Sequence, residues 1–328
     1  MKPVRPVVSS ITVIVLTCAY LLVALNSAFF SRLLDATPGA GIGTLDLTLL
    51  AAVFTINLLL LSLLAWPKLL KPAFIGIILL SALVAYFMQH FGAVIDRAAI
   101  ASVFESDVRE ASEWLGPRLV LWMFGFGVLP ALLLIWLKVE YQPFWREFRQ
   151  RSLINLIAFA VLAGAVGAQT QSLSSLLRNH GELRHYANPL AVLHATRGYI
   201  KHELAVPKGP PTSLGADARF VRDDSNKPLL LMLVVGESAR AQSFELNGYD
   251  RPTNPELKKR PLLSYFDVHS CGTNTATSLP CMFSNLGQEH FEVGKARQTE
   301  NLLDVFVTPV SMWSGATTIP AANPLPIV

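Results

Sequence analysis

Five stretches of the chain contain no Asp, Glu, Lys or Arg: residues 6–31, 47–67, 72–95, 119–137 and 152–177. Each is rich in Leu, Ile, Val, Ala and Phe. A membrane-crossing helix needs about 20 mainly apolar residues. One or two such runs could be buried core helices. Five in the first 177 residues have nowhere to hide in a soluble domain. The pattern predicts spans at about 8–30, 47–67, 72–92, 119–137 and 152–172, in a transmembrane domain covering 1–177. The first run is too long for a cleaved signal peptide, and no small-residue cleavage site follows it cleanly.

Between the third and fourth runs, residues 96–118 read as an amphipathic helix lying at the membrane interface. Ser102, Ser106 and Glu110 recur at i, i+4 and i+8, so they share one helical face. That face is either solvated and helix-supporting, or a headgroup-binding surface. Residues 171–206 are mixed and predicted helical, leaving the fifth run along the membrane surface. The Pro- and Gly-rich stretch Pro207–Gly215 is a linker, and 178–227 form a bridging segment as a whole. Pro228 to Val235 is a continuous apolar run ending at Gly236-Glu237-Ser238. Its length, Val content and flanks predict a strand buried on both faces, as in a parallel sheet. A helix is expected near Ser238, and Asn247-Gly248 marks a turn. The fold class predicted is multi-domain: a five-helix transmembrane domain followed by an incomplete α/β domain over 228–305. Residues 306–328 form a tail without a clear amphipathic period.

Composition sharpens this. Of the 328 residues, 52% are hydrophobic and only 15% charged, with mean hydropathy +0.43. Soluble domains carry about 25% charged residues, so a disordered chain, a coiled coil and a simple cytosolic enzyme are excluded. The formal net charge is +4, but the basic residues flank apolar runs and do not cluster on a soluble stretch. No nucleic-acid partner is expected. Orientation follows from the same residues. With the N-terminus inside, the cytoplasmic segments hold Lys2, Arg5, Lys68, Lys71, Lys138, Arg146, Arg149 and Arg151. The opposite loops hold Arg32, Arg97, Arg109 and Arg118. Eight against four favours a cytoplasmic N-terminus and puts everything after about residue 178 on the far side, where disulfides persist.

Two places could carry chemistry. Glu237 falls at the carboxyl end of the predicted strand, where ligands sit in open α/β sheets. It is either a carboxylate answering a helix dipole, or a metal ligand or general base. The second place is His269-Ser-Cys271-Gly-Thr273-Asn-Thr275-Ala-Thr277-Ser-Leu-Pro-Cys281-Met-Phe-Ser284. A small, hydroxyl-rich turn precedes an apolar segment there. Ordinary N-capping explains it. So does a nucleophilic hydroxyl at a helix N-terminus, where backbone N–H groups stabilise phosphate. Cys271 and Cys281, ten residues apart, would staple this turn if oxidised, whereas Cys18 lies in the first apolar run.

Together, Val-Val-Gly236-Glu237-Ser-Ala-Arg240, Asn247-Gly248-Tyr249 and the Cys271–Ser284 block closely resemble the lipid A phosphoethanolamine transferases, the mobile colistin-resistance enzymes included. The resemblance covers roughly residues 1–305. It implies a five-span membrane domain joined to a periplasmic sulfatase/alkaline-phosphatase-like domain in a Gram-negative inner membrane. It assigns Thr275 as the nucleophile and a zinc contact, Glu237 as a zinc ligand, and Cys271–Cys281 as a disulfide. In the interfacial helix, Glu110 matches a substrate-binding Glu. Ser102 and Ser106 stand where the family commonly has Asn and Thr, and keep the small polar character.

The implied chemistry starts from phosphatidylethanolamine as donor, among the inner-membrane lipids, and ends on lipid A as acceptor. Zinc would lower the hydroxyl pKa and neutralise phosphate charge. Thr275 would take phosphoethanolamine and release diacylglycerol, and a lipid A phosphate would then displace the threonine. The added amine weakens binding of cationic polymyxins. Family members continue beyond residue 328 with later Asp and His zinc ligands, so the zinc site is expected to be incomplete and the 328-residue chain catalytically silent. The tail has its own expected account. Ala316–Val328 can be back-translated so that another frame reads R-D-N-N-S-G-C-K, close to a W-x-D-N-N-S-G-C-K block of the family. A frameshift near residue 305 is therefore expected. The alternatives are a non-catalytic membrane remnant, or a related sulfatase-fold membrane phosphoglycerol transferase or hydrolase. A transporter is disfavoured because the runs carry no paired charges.

Overall fold

The computed structural model describes residues 5–37, 41–105, 115–205, 209–218, 232–236 and 239–306. The chain divides into two compact units, Met1–Glu203 and Leu204–Val328.

The first unit is helical. A short strand β1 (Val7–Ser9) leads into α1 (Ser10–Leu25), followed by α2 (Ser27–Ala36), α3 (Thr44–Leu64), α4 (Leu70–Phe91) and α5 (Arg97–Glu105). A 20-residue span, α6, runs Pro117–Trp136 with a π-turn at Phe124–Val128. Strand β2 (Lys138–Glu140), α7 (Phe144–Ala168), α8 (Thr170–Asn179) and α9 (Leu190–Ala205) complete it. Among the described residues four helices (α3, α4, α6 and α7) are long and apolar enough to cross a membrane. Only 6% of the most apolar window of α7 is buried inside the protein. Its Leu153, Leu156, Ile157, Phe159 and Val161 are exposed, as a lipid-facing surface requires.

The first apolar run is not one straight span. Helices α1 and α2 meet at Asn26 with a 63° bend, so this pair is a fifth crossing only as a broken one. A break in a membrane segment frees backbone groups that lipid cannot satisfy. Side chains close the gap here. Asn26 Nδ2 donates to Leu21 O (2.8 Å) and to Asn188 O (2.7 Å). Asn188 N–H donates back to Asn26 Oδ1 (2.8 Å). Asn188 Nδ2 donates to Leu25 O (3.2 Å) and Ser81 O (2.7 Å). Both asparagines are at most 1% exposed. Three elements thus converge on the break: α1–α2, α4 and the segment before α9.

The last span also starts earlier than its apolar run. Arg146, Glu147, Arg149 and Arg151 lie within α7. Glu147 and Arg151 are buried, with Arg151 Nη2 2.7 Å from Glu147 Oε1. Glu147 also accepts from the Ser10 hydroxyl and from Gln142 N–H (2.9 Å). The guanidinium lies 5.3 Å from the centre of the Trp66 ring. Beside this cluster β1 and β2 pair in parallel, Val8 opposite Val139. Lys71 Nζ donates to Ile135 O and Leu137 O, closing the C-terminal carbonyls of α6.

Among the described residues of the unit two apolar clusters form the core. One joins Val13, Cys18 and Leu21 of α1 to Leu58 and Leu61 of α3 and Phe74 and Ile78 of α4. The other gathers Phe29 and Leu33 of α2, Val84 and Met88 of α4, and Leu183, Tyr186, Ala191 and Ala195 after the spans. Lipid is as apolar as Leu, so close packing of small residues does much of the work between spans. Gly127 shows it. A Cβ there would sit 3.2 Å from Leu79 Cδ2 and 3.5 Å from Ala82 Cβ of α4.

The second unit contains α10 (Pro255–Lys258), α11 (Thr275–Phe283), α12 (Gly287–His290), α13 (Val293–Ala296) and α14 (Leu302–Phe306). Residues 232–236, the described end of the predicted strand, are not in a strand, and Met232 and Val234 are 78% and 82% exposed. A strand exists only through a neighbour that takes its backbone bonds. Among the described residues of this unit the one pairing is an isolated bridge, Thr212 to Thr299. Leu303 is the one buried residue among those described here. The Asn247-Gly248 turn is present, with Gly248 at φ 94° closing a 3₁₀ turn.

Candidate functional site

The hydroxyl-rich block folds as a turn that opens α11. Asn274, in extended backbone, caps the helix: its Oδ1 accepts from Thr277 N–H at 2.9 Å. Its carbonyl takes Ser278 N–H at 2.9 Å. Thr275 is therefore the first residue of α11, at the positive end of the helix dipole. The turn before it is tight. Ser270 Oγ donates to Gly272 O (2.6 Å), and Gln288 Nε2 donates to Ser270 O (3.3 Å). A Cβ on Gly272 would lie 2.8 Å from Thr277 Cγ2, so glycine is required for that approach. Thr277 is thereby held against the turn, while Thr275 and Thr273 flank Asn274.

Cys271 and Cys281 are bonded through sulfur, with Cα atoms 6.3 Å apart. The bond ties the start of the turn to the second turn of α11, around Thr275. Pro280 interrupts the helix bonds just before Cys281. Cys18 is free and buried in α1. Non-reduced peptide mapping of protein recovered from an oxidising compartment is expected to return a Cys271–Cys281 crosslink and a Cys18 thiol. Two free thiols at 271 and 281 would contradict it.

The other predicted site residues are distributed differently. Glu237, Ser106 and Glu110 lie outside the described residues. Ser102 is on α5 in the first unit, exposed, with its hydroxyl donated to Ala98 O at 3.0 Å. Phe104 of the same helix stacks on Tyr199 of α9, ring centres 5.4 Å apart. Among the described residues no group of three or more His, Cys, Asp or Glu could hold a metal ion. Thr275 contributes a hydroxyl only, and Asp267 and His269 at the start of the block, 3.5 Å apart, are highly exposed. The described donor set does not fit a zinc site. Asn274 was one of several possible caps in the sequence; Ser270 and Gln288, which hold the turn, carried no signal there beyond polarity.

Comparison with known proteins places both halves. The family model for phosphoethanolamine transferase EptA/EptB matches residues 53–204, and the sulfatase family model matches 230–308. Phosphatidylethanolamine transferase Mcr-1 of Escherichia coli is 33% identical over 306 residues, covering 92% of this chain and 56% of the relative. Phosphoethanolamine transferase EptA of Escherichia coli K12 is 31% identical over 311 residues, with the same two shares. Among solved structures, the integral membrane protein lipooligosaccharide phosphoethanolamine transferase A from Neisseria meningitidis matches with TM-score 0.82 and 30% identity. It covers 92% of this chain and 56% of that one. The chain thus spans about half the length of the relatives it matches, with a multi-helix membrane domain followed by part of a sulfatase-type domain. Matched in the same order through both halves, the chain is similar to the phosphoethanolamine transferases across its membrane domain and the start of its sulfatase-type domain.

Proposed function

We propose that this chain carries the membrane domain and nucleophile turn of an enzyme that moves phosphoethanolamine from phosphatidylethanolamine to a lipid A phosphate. The observation that carries the reading is Thr275 at the first position of α11, locked by the Asn274 cap and bracketed by Cys271 and Cys281. A helix N-terminus favours the negative charge of a phosphodiester. Thr275 Oγ bonds to phosphorus as the bond from phosphorus to the diacylglycerol oxygen breaks, and the hydroxyl proton ends on diacylglycerol. A lipid A phosphate oxygen then bonds to the same phosphorus, and Thr275 leaves and regains a proton. Glu237 and Thr275 are the proposed zinc donors in this reading. A metal there would polarise phosphate and lower the hydroxyl pKa. No step is routed through it, because the described residues do not build its site. Ser102, Ser106 and Glu110 are the proposed headgroup contacts at the membrane interface.

Orientation belongs to the same proposal. The N-terminus lies in the cytoplasm of a Gram-negative cell, the spans cross the inner membrane, and the second unit lies in the periplasm. The eight-to-four distribution of basic residues supports this. Reporter fusions after residues 40, 69, 105, 145 and 215 are expected to read outside, inside, outside, inside and outside. A cytoplasmic signal at 215 would refute the scheme.

Residues 1–305 can be joined to the remaining catalytic segment of an EptA relative and expressed in a strain without its own transferases. Mass spectrometry of lipid A is expected to show phosphoethanolamine adducts. The 328-residue chain expressed in the same strain gives the comparison for that signal. Unmodified lipid A from a stably inserted fusion would overturn the transfer reading.

A further inference from the structure

Span α6 departs from α-helical spacing at its single π-turn, Phe124–Val128. Such turns occur often at functional sites. Around this one an aromatic cluster has formed. The rings of Trp122 and Phe126 stack at 4.3 Å. The Tyr20 hydroxyl of α1 donates to Phe126 O. Trp122 Nε1 donates to Ala82 O of α4 at 2.9 Å, which fixes the indole across the two spans. Ala82, Tyr86 and His90 follow at i, i+4 and i+8, so they line one face of α4. The His90 ring stacks on Tyr86 at 4.5 Å and meets the Trp122 ring edge to face at 5.3 Å.

His90 itself is exposed, at the end of α4 where Gly92 stops the helix. Its Nδ1 lies 3.1 Å from Tyr86 O. A carbonyl oxygen only accepts, so this contact puts the proton of the neutral ring on Nδ1. Nε2 is then a lone-pair acceptor, and it has no hydrogen-bond partner among the described residues. Arg118 lies one helical turn before Trp122 and shares its face of α6. An acceptor framed by aromatic rings sits at the end of two spans, where headgroups and interfacial aromatics meet, and Arg118 lies one helical turn before the indole that meets it.

A zwitterion with N–H donors fits this layout. Its ammonium can donate to Nε2 and rest against ring quadrupoles. Its phosphate can face Arg118. We propose that His90, Trp122 and Arg118 form a resting site for a phospholipid headgroup bearing a primary ammonium, with His90 Nε2 accepting from the ammonium. The proposal takes the donor lipid from the transfer reading above, but it is tested by lipid binding alone. It gives the membrane domain a selective step upstream of Thr275.

The test uses the full chain purified in detergent and offered equal amounts of phosphatidylethanolamine, phosphatidylcholine and phosphatidylglycerol, with retained lipid read by native mass spectrometry. Phosphatidylcholine has the same charges but no N–H, so it isolates the Nε2 bond. The ethanolamine lipid is expected to be retained about fivefold over the choline lipid, the worth of one net hydrogen bond. His90→Phe keeps the ring and is expected to abolish that preference. His90→Gln keeps an acceptor and is expected to retain it. Arg118→Ala is expected to weaken both zwitterionic lipids alike. Size-exclusion profiles and melting curves of each variant check folding. Equal retention of the two zwitterions by the parent chain, or a preference that survives His90→Phe, overturns the proposal. Lipid A modification by the fusion, alongside such a result, would leave the transfer reading standing; loss of modification with the preference intact would sink only that reading.

Discussion

Replacing Thr275 by Ala in the fusion described above is expected to lower phosphoethanolamine transfer by at least about a thousandfold, the scale seen when a covalent nucleophile is removed. The block contains three threonines, and the geometry separates them. Thr277 donates its backbone N–H to the Asn274 cap and packs its side chain against Gly272. Thr273 precedes the cap and is exposed. Thr275 alone occupies the first helical position, where a developing negative charge on phosphate meets the helix dipole. Thr275→Ser keeps a hydroxyl at that position and is expected to retain measurable transfer. Thr277→Ala is expected to lower stability through the turn more than it lowers transfer per folded molecule. Quantifying lipid A adducts against membrane-inserted protein separates the two effects. Full transfer by Thr275→Ala would move the nucleophile to another hydroxyl.

Much of the membrane unit was legible because lipid imposes one rule on every span. About 20 apolar residues are needed, and α3, α4 and α6 fall within or close to the charge-free runs. The break at Asn26 was not legible. An asparagine inside an apolar run looks like a tolerated polar residue. Its role depends on Asn188, 162 positions away, which completes the bonds that make a bend affordable. The extension of α7 ahead of its charge-free run was not legible for a related reason. Charges at 146–151 look like a loop, yet a helix continues through them when Glu147 and Arg151 neutralise each other. The predicted strand before Glu237 could be followed only at its described end, 232–236, where no pairing forms: a pattern can mark residues fit for a sheet, but only a neighbouring strand makes one. The hydroxyl-rich turn was the reverse case. Asn274, Thr275 and the two cysteines are local in sequence, so their helix start could be read, though not the ties from Ser270 and Gln288.

Removing the Glu147 carboxylate is the change expected to cost the membrane unit most. Four donors converge on it: the Ser10 hydroxyl, Gln142 N–H, and Arg151 Nε (3.1 Å) and Nη2 (2.7 Å). They tie α1, the segment after β2 and α7 at one end of the bundle. Glu147→Leu leaves a buried guanidinium whose Nη1 already lacks a partner, and breaking a buried pair from one side costs about 3–5 kcal/mol. Ser10 and Gln142 lose their acceptor as well. A marked fall in the melting temperature of the detergent-solubilised protein is therefore expected. The double variant Glu147→Leu with Arg151→Leu removes both charges, and it is expected to recover much of the loss because no uncompensated ion remains. The Arg151→Leu single variant is expected to fall between them, since a carboxylate with two neutral donors left is better satisfied than a lone guanidinium. The competing outcome is that Arg151, freed from Glu147, extends its long side chain to the headgroup layer. In that case Glu147→Leu would melt near the parent temperature, and the pair would be a local contact of α7, not the tie that holds α1 to it.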